Sequence, residues 1–468
     1  MTNYTKGLSA YIANLQYEDL PQEVVERIKK LTIHCVGAAL AAHDLPTAKN
    51  SRSIARDTVG TQSDMLATVW GEKGKLPYNG AIFANATATD TLDWEDCSWT
   101  GHPSASLIPV SMALSEAMHC SGKEFITAVA GGFEVYQRIA GYIQPPKGWD
   151  HIKDGWGLCS WQIFAGSMPA GKLMNCDEEQ FNLLIGATGC CTPVVDMIIQ
   201  KQMSDFYHLQ FGFVSFTGAM LARMAKRNEL DNMYNILDDV EGGYSKMMRG
   251  FANDGWLDRN LGSEYMIMEM LFKHWPANMW VQTPLECLHE MRQKYGFTAK
   301  DVESIYITPG FQFRDGFRPT GYLGCKDAQF SIPYCLAAYM LCGEQGPNWF
   351  AEECLSDPDV LDFASRIKLD KENEILMMDA FYIYVGGSFP KIEMTITLKD
   401  GTKLTGELQF PKGHPRNPFE WEDCDQTFSI GANVVGLSPE KKEKFLAFCR
   451  NLENVADMAE VAECLNMD

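Results

Sequence analysis

Between residues 90 and 104 the chain collects the groups that proton chemistry needs. Asp90, Asp93, Glu95 and Asp96 set four carboxylates within seven residues, interleaved with Trp94, Cys97 and Trp99 and followed by Gly101-His102-Pro103-Ser104. Like charges this close repel, so a solvated loop or a helix end is the cheapest place to hold them. Tryptophans beside carboxylates and an imidazole point the other way, to a partly dry wall where protonation equilibria shift. The proline ring keeps the preceding residue out of the helical region, so His102 is fixed in direction at a loop-to-helix junction with Pro103 in the first turn. An imidazole held like this can donate to a carboxylate or a leaving hydroxyl.

The flanking stretches must position that cluster. Ala81 to Thr89 is built from Ala, Thr and Asn, and its low bulk lets a neighbouring helix or a ligand approach the backbone closely. Residues 19–42 carry Val24, Ile28, Leu31, Cys35 and Ala38 at three- and four-residue spacing after Asp19 and Pro21, which predicts an amphipathic helix. His34 lies on or near that apolar stripe and reads as a core histidine. Further helices are expected over 159–173, 178–189, 212–226, 283–295 and 438–466, with a helix also running up to Leu341. Residues 302–307 alternate as a strand, and Asp400-Gly401 joins 391–398 to 403–410 as a hairpin.

Composition narrows the classes. A chain of 468 residues with 46% hydrophobic content can bury large cores, and its net charge of −21 argues against nucleic acid and anionic membranes. The absence of an apolar run of ~18 residues and of an apolar signal core at the start predicts a soluble, cytoplasmic protein. Fifteen cysteines without a Cys-x-x-Cys pair or a Cys/His cluster read as buried, reduced thiols, with no structural zinc and no metal at the site. An acidic chain that binds an acid needs a local pocket of Lys, Arg or His.

The ordered run NG…A…A…LDWED…HPS…P…AL.EA…SG..F..A…G.EV..RI resembles the MmgE/PrpD family, whose members include 2-methylcitrate dehydratase, cis-aconitate decarboxylase and iminodisuccinate epimerase. Lys273-His274-Trp275-Pro276 resembles the family's Lys-x-Tyr-Pro motif, Asp327 to Tyr334 another, and Pro411 to Pro418 its closing loop. The resemblance implies a mainly α fold: a large all-helical domain (1–266, returning over 412–468) with an inserted smaller α+β domain (267–411), a cleft between them and a homodimer. It also implies proton transfer at carbon next to a carboxylate, without metal or organic cofactor, on a small carboxylic acid.

Such chemistry needs a base near neutrality and cations to hold the developing charge. Lys273 suits the base role if burial or a second cation lowers it from about 10.4. Asp93 is placed by the resemblance in the cleft to orient Lys273 or His102 or to act as an acid, and Tyr334 to donate a hydrogen bond. Arg314, Arg318 and Lys326 precede that last motif, and an arginine can clamp a carboxylate bidentately; Arg318 is the expected substrate contact of the three. Three positions depart from the family pattern: Gly157 and Gln282 stand where histidines are usual and Tyr207, beside His208, where a lysine is common. Tyr207, His208 and Gln282 are the expected substrate contacts in their place, and the changes predict poor handling of 2-methylcitrate or cis-aconitate. A lyase of the dehydratase or decarboxylase type is the first expectation. An epimerase of the iminodisuccinate type and a catalytically altered member that binds a small acid or a partner are the alternatives.

Overall fold

The computed structural model describes residues 3–467 apart from 61, 99–100, 151–153, 155–159, 193–201, 239, 249–250 and 313. The expectations for Trp99 and Gly157 therefore lie outside the described residues. The first half is helical: α1 (Tyr4–Asn14), α2 (Gln22–Ala41), α3 (Pro46–Val59), α4 (Tyr78–Thr91), α5 (Ser104–Met118), α6 (Gly122–Tyr142), α7 (Gln162–Leu173), α8 (Glu178–Cys190) and α9 (Phe206–Lys226). It is interrupted by the hairpin β1 (Leu66–Thr68) and β2 (Lys75–Pro77) and by the two-residue strand β3 (Asp96–Cys97).

Small residues set the helix spacing around α4. A Cβ at Gly212 of α9 would sit 2.3 Å from Thr87 Oγ1 and 2.7 Å from Phe83 O, so the two helices touch backbone to backbone. That contact holds the second turn of α9 against the middle of α4. It brings Tyr207 and His208 beside the acidic segment. Helix α9 begins at Phe206, six residues ahead of the predicted start. Phe206-Tyr-His-Leu-Gln-Phe has no periodicity of its own, and packing of Tyr207 and Phe211 on Ala105 selects the helix.

The strand β4 (Leu271–Phe272) opens the second half by pairing antiparallel with β3, Asp96 opposite Phe272 and Cys97 opposite Leu271. Beyond it lies a four-stranded sheet ordered β10-β9-β5-β7, with β5 (Val302–Thr308) parallel to β7 (Ile367–Leu369) and antiparallel to β9 (Ile392–Leu398), and β10 (Lys403–Leu408) closing the hairpin. Gly401 takes φ +87 at its turn, a conformation that favours glycine. A small parallel pair, β6 (Gly310–Phe311) and β8 (Glu374–Ile375), sits beside it. Helices α10 (Gln282–Tyr295), α11 (Ile332–Leu341), α12 (Pro358–Ser365) and α13 (Met377–Val385) complete this portion.

The chain then returns to the helical body. Helix α14 (Trp421–Val434) packs on α2 so closely that a Cβ at Gly431 would lie 2.2 Å from Gly37 O, and α15 (Pro439–Arg450) follows. The predicted single helix over 438–466 is broken by a turn at Leu452–Asn454 before Met458–Glu463. The architecture is mainly α with a smaller α+β portion. Among the described residues no helix is long and apolar enough to cross a membrane. The expectation of reduced thiols is corrected at one pair: Cys342 and Cys354 form a disulfide around the loop that carries Trp349. Cys190 and Cys191 are exposed, and the other described cysteines are buried thiols.

Candidate active site

The C-terminus of α4 sets the first carboxylates. Asp93 follows the helix in the left-handed conformation, φ 49, and its N–H donates to Asp90 O at 2.8 Å. A short polar side chain tolerates that conformation. Asp90, Asp93, Glu95 and Asp96 are all fully buried, so the solvated turn weighed from sequence is not what forms. The reason is the β3–β4 ladder, which delivers a cation from 180 residues away: Lys273 Nζ donates to Asp93 Oδ1 and lies 3.1 Å from Glu95 Oε1. The loop around it is pinned from several sides. Trp94 Nε1 donates to His274 O at 3.0 Å, His34 Nε2 contacts Trp94 O at 2.7 Å, and Gln329 Nε2 donates to Thr91 O at 2.9 Å.

His102 stands between this cluster and a cavity. Its Nδ1 bonds Glu95 Oε1, and its Nε2 lies 2.9 Å from Tyr207 Oη. A carboxylate only accepts, so the Glu95 bond assigns the proton to Nδ1 and turns the Nε2 lone pair toward Tyr207. Lys273 Nζ also approaches Nδ1, at 3.1 Å; with Nδ1 protonated its hydrogens go to the two carboxylates. His208, on the next residue of α9, places Nδ1 2.6 Å from Asp90 Oδ2. Lys326 Nζ sits 3.3 Å above the Tyr207 ring, a cation–π contact made in a dry setting.

Burial and pairing sort the protonation states. Burial would lower Lys273, but Asp93 and Glu95 overcome it and raise the ammonium above the usual lysine range. Burial would raise Glu95, yet Lys273 and His102 pull its carboxyl down to about 2. Asp90 goes well above the carboxylate range through burial and the charges of Glu95 and Asp93, while burial takes His208 down to about 4. Both directions favour the uncharged forms of the pair. Asp96 is pushed up to about 8 by burial and by Glu95.

The ion pairs stand against the condition set for the base role anticipated for Lys273. It required a lowered lysine, and two carboxylates hold the ammonium charged. Lys273 contacts Asp93, Glu95 and His102, and of these four only His102 lines the cavity. One side-chain oxygen or nitrogen each of Asp90, Glu95 and His102 lies within 4.8 Å of the others, a spacing a metal ion would accept. Lys273 already supplies the cation there.

The cavity, of ≈ 60 Å³, is lined by His102 and Tyr207 on one part of its wall and by Arg314 and Asn278 on another. Arg314 is buried, donates from Nε to Asn278 Oδ1 at 2.8 Å and lies over the Phe330 ring at 4.6 Å. Burial lowers it to about 10, which leaves it cationic at neutral pH. Of the other expected site residues, His208 backs the wall through Asp90. Gln282 is spent on the loop that carries Lys273: Nε2 donates to Trp275 O and Ala277 O at 2.9 and 2.7 Å, and Oε1 accepts from Trp275 N at 3.0 Å. Tyr334 donates its hydroxyl to Trp349 O and does not line the cavity. Arg318 is half exposed and pairs with Asp327 at 2.9 Å, whereas Arg314 lines the cavity. Glu95, Arg314 and the Met377, Met378 and Phe381 wall were not chosen from sequence. Glu95 had only its membership of the acidic run to mark it, and α13, 9 residues with Asp379 in its first turn, is too short for a period to show.

A helical body with a smaller α+β portion thus carries a buried carboxylate–imidazole pair at the wall of a cavity. Residues 6–254 match the MmgE/PrpD N-terminal domain and residues 275–454 the MmgE/PrpD C-terminal domain, so the chain belongs to the MmgE/PrpD family. It is similar to the cis-aconitate decarboxylase of Homo sapiens, 23% identical over 483 residues that cover 98% of this chain and 93% of the relative. The cis-aconitate decarboxylase of Aspergillus terreus is 21% identical over 487 residues, covering 99% and 96%.

Proposed function

We propose that this protein is a lyase that works without an organic cofactor, moving a proton at carbon next to a carboxylate of a small acid. The observation that carries the reading is the His102–Tyr207 contact at the cavity wall, with Glu95 fixing the imidazole from behind. In a dehydration Nε2 takes the proton from carbon, the hydroxyl leaves as water on the Tyr207 Oη proton, and the imidazolium returns its proton to Tyr207; in a decarboxylation the C–C bond breaks to release carbon dioxide, the electron pair left on carbon takes the Tyr207 Oη proton, and solvent restores it. Arg314 holds the carboxylate and the charge that grows on it. The relatives' decarboxylase names support a lyase over other classes. The homodimer implied by the family resemblance belongs to the proposal, and sedimentation of the purified protein tests it.

Proton NMR in deuterated water against a panel of hydroxy and unsaturated acids tests the chemistry. Tyr207→Phe removes one oxygen and keeps the ring under Lys326, so the fold stays and turnover falls about 100-fold. Proton exchange with no new product would replace the lyase with an epimerase. No exchange, with ligand-induced thermal shifts retained, would make the chain a binding protein.

A further inference from the structure

Lys326 is fully buried outside the cavity lining, with its ammonium 3.3 Å from the centre of the Tyr207 ring and 3.9 Å from that of Phe330. Its place is fixed by the backbone. Lys326 belongs to the helical turn Cys325–Gln329, and the carboxylate of Asp205, the residue before α9, accepts from Lys326 N at 2.9 Å and from Cys325 N at 3.4 Å. A Cβ at Gly324 would lie 2.5 Å from Asp205 Oδ2, so the turn meets the start of α9 closely and holds the lysine over the tyrosine.

Dehydration and decarboxylation by this site pass through one species. The Tyr207 O–H bond breaks, the proton goes to the departing hydroxyl or to carbon, and the electron pair stays on the phenol oxygen until His102 or solvent returns a proton. Tyr207 is 2% exposed, and a phenolate out of water is costly unless a cation lies beside it. In dehydration the His102 imidazolium is such a cation, 2.9 Å from Oη; in decarboxylation His102 gains no proton. Lys326 faces the ring in either case. Resting on the lyase reading, we propose that Lys326 is a positioning residue that acts through Tyr207: its charge on the ring face stabilises the phenolate and makes the phenol a stronger proton donor to the substrate. The other ionisable groups around the phenol are His102 at its oxygen, His208 beside it on α9 and Arg314 on the same cavity wall. The nearby carboxylates are engaged with other partners: Glu95 with His102, Asp90 with His208 and Asp205 with the 325–326 backbone.

The test is the titration of Tyr207 itself. Fluorotyrosine is incorporated throughout the chain, its signals are followed against pH by fluorine NMR, and the Tyr207 signal is the one missing from Tyr207→Phe. In the wild-type protein that signal should titrate no higher than those of the exposed tyrosines, although burial lifts Tyr244 well above the ordinary range. Lys326→Met should move it up by at least one pH unit, a tenfold loss of acidity, and Lys326→Arg, which keeps the charge, should leave it near the wild-type position. Lys326→Gln replaces the methionine variant if that does not fold. A wild-type signal that titrates above the exposed tyrosines, or one that stays in place when the charge is removed, would overturn the proposal, and the wild-type value decides it even where no neutral variant folds. No substrate enters this titration. Loss of the lyase reading would show as no turnover in deuterated water, and loss of the Lys326 role would show here.

Discussion

Lys273 shows how one side chain sets the chemistry of several. Its ammonium is the partner that lets Asp93 and Glu95 be buried, and Glu95 in turn decides which nitrogen of His102 faces the cavity. Replacing it with a neutral chain of similar length leaves both carboxylates in the dry interior without their cation. Breaking a buried pair in this way costs about 3–5 kcal/mol. Lys273→Met should therefore lose that much in urea denaturation, and adding Asp93→Asn should return part of it because one stranded charge is gone. Asn also keeps the left-handed turn that Asp93 occupies. If the double variant is less stable than Lys273→Met alone, the pair is not what holds the segment. Lys273 and Asp93 were legible from their motifs, and their burial was not: four adjacent carboxylates read locally as a surface turn, and the cation that reverses this lies far along the chain. Arg314 and Arg318 differ in the same way, since a loop of Gly, Arg and aromatics gives no sign of which guanidinium will be enclosed.

Elements translate these pairs into geometry, and α2 is the clearest case. Its helical spacing was readable from Val24, Ile28, Leu31, Cys35 and Ala38, although from Leu31 to Ala41 the helix is buried on every side, and β9–β10 was readable because strict alternation and Asp400-Gly401 agree. Helices α13 and α14 were not, the first being too short for a period to show. On α2, His34 contacts Trp94 O and lies edge-on to Phe272 and Phe419, which ties the helix to both strands of the site. Burial lowers its imidazole to about 4, against 6.5 for the free group. Between those values the unfolded chain binds a proton that the folded chain refuses, so the His34 contribution is fully present above pH 6.5 and is lost as pH falls toward 4. Going from pH 7 to 5 removes about 2 kcal/mol through this residue. His34→Gln should be less stable at pH 7 and lose less on acidification, which urea midpoints at the two pH values measure; parallel slopes would mean that His34 titrates normally. Gln282 acts on the other side of the site by stapling 275–277, and Gln282→Leu strands three backbone groups there. A loss of about 2–3 kcal/mol is expected in the same assay.

Over the whole molecule, the last segment closes the structure on its beginning. Helix α14 lies on α2 through Gly37 and Gly431, and the loop before it reaches the site: Phe272 N donates to Gly413 O at 3.0 Å, one residue from Lys273. Gly413 has φ +92, and a Cβ there would lie 1.9 Å from Phe272 O. Backbone, not a flexible side chain, would have to move. Gly413→Ala therefore combines conformational strain with a displacement of β4, and β4 is what aligns Lys273 with Asp93 and Glu95. Gly37→Ala meets Phe428 Cα at 2.6 Å and stresses the return helix without touching β4. Both should lower stability by about 1–3 kcal/mol or more. Their activities should separate: at a temperature where each is folded, Gly413→Ala should lose turnover and Gly37→Ala should keep it. Equal retention of activity would mean that the closing loop supports the fold but does not set the position of Lys273.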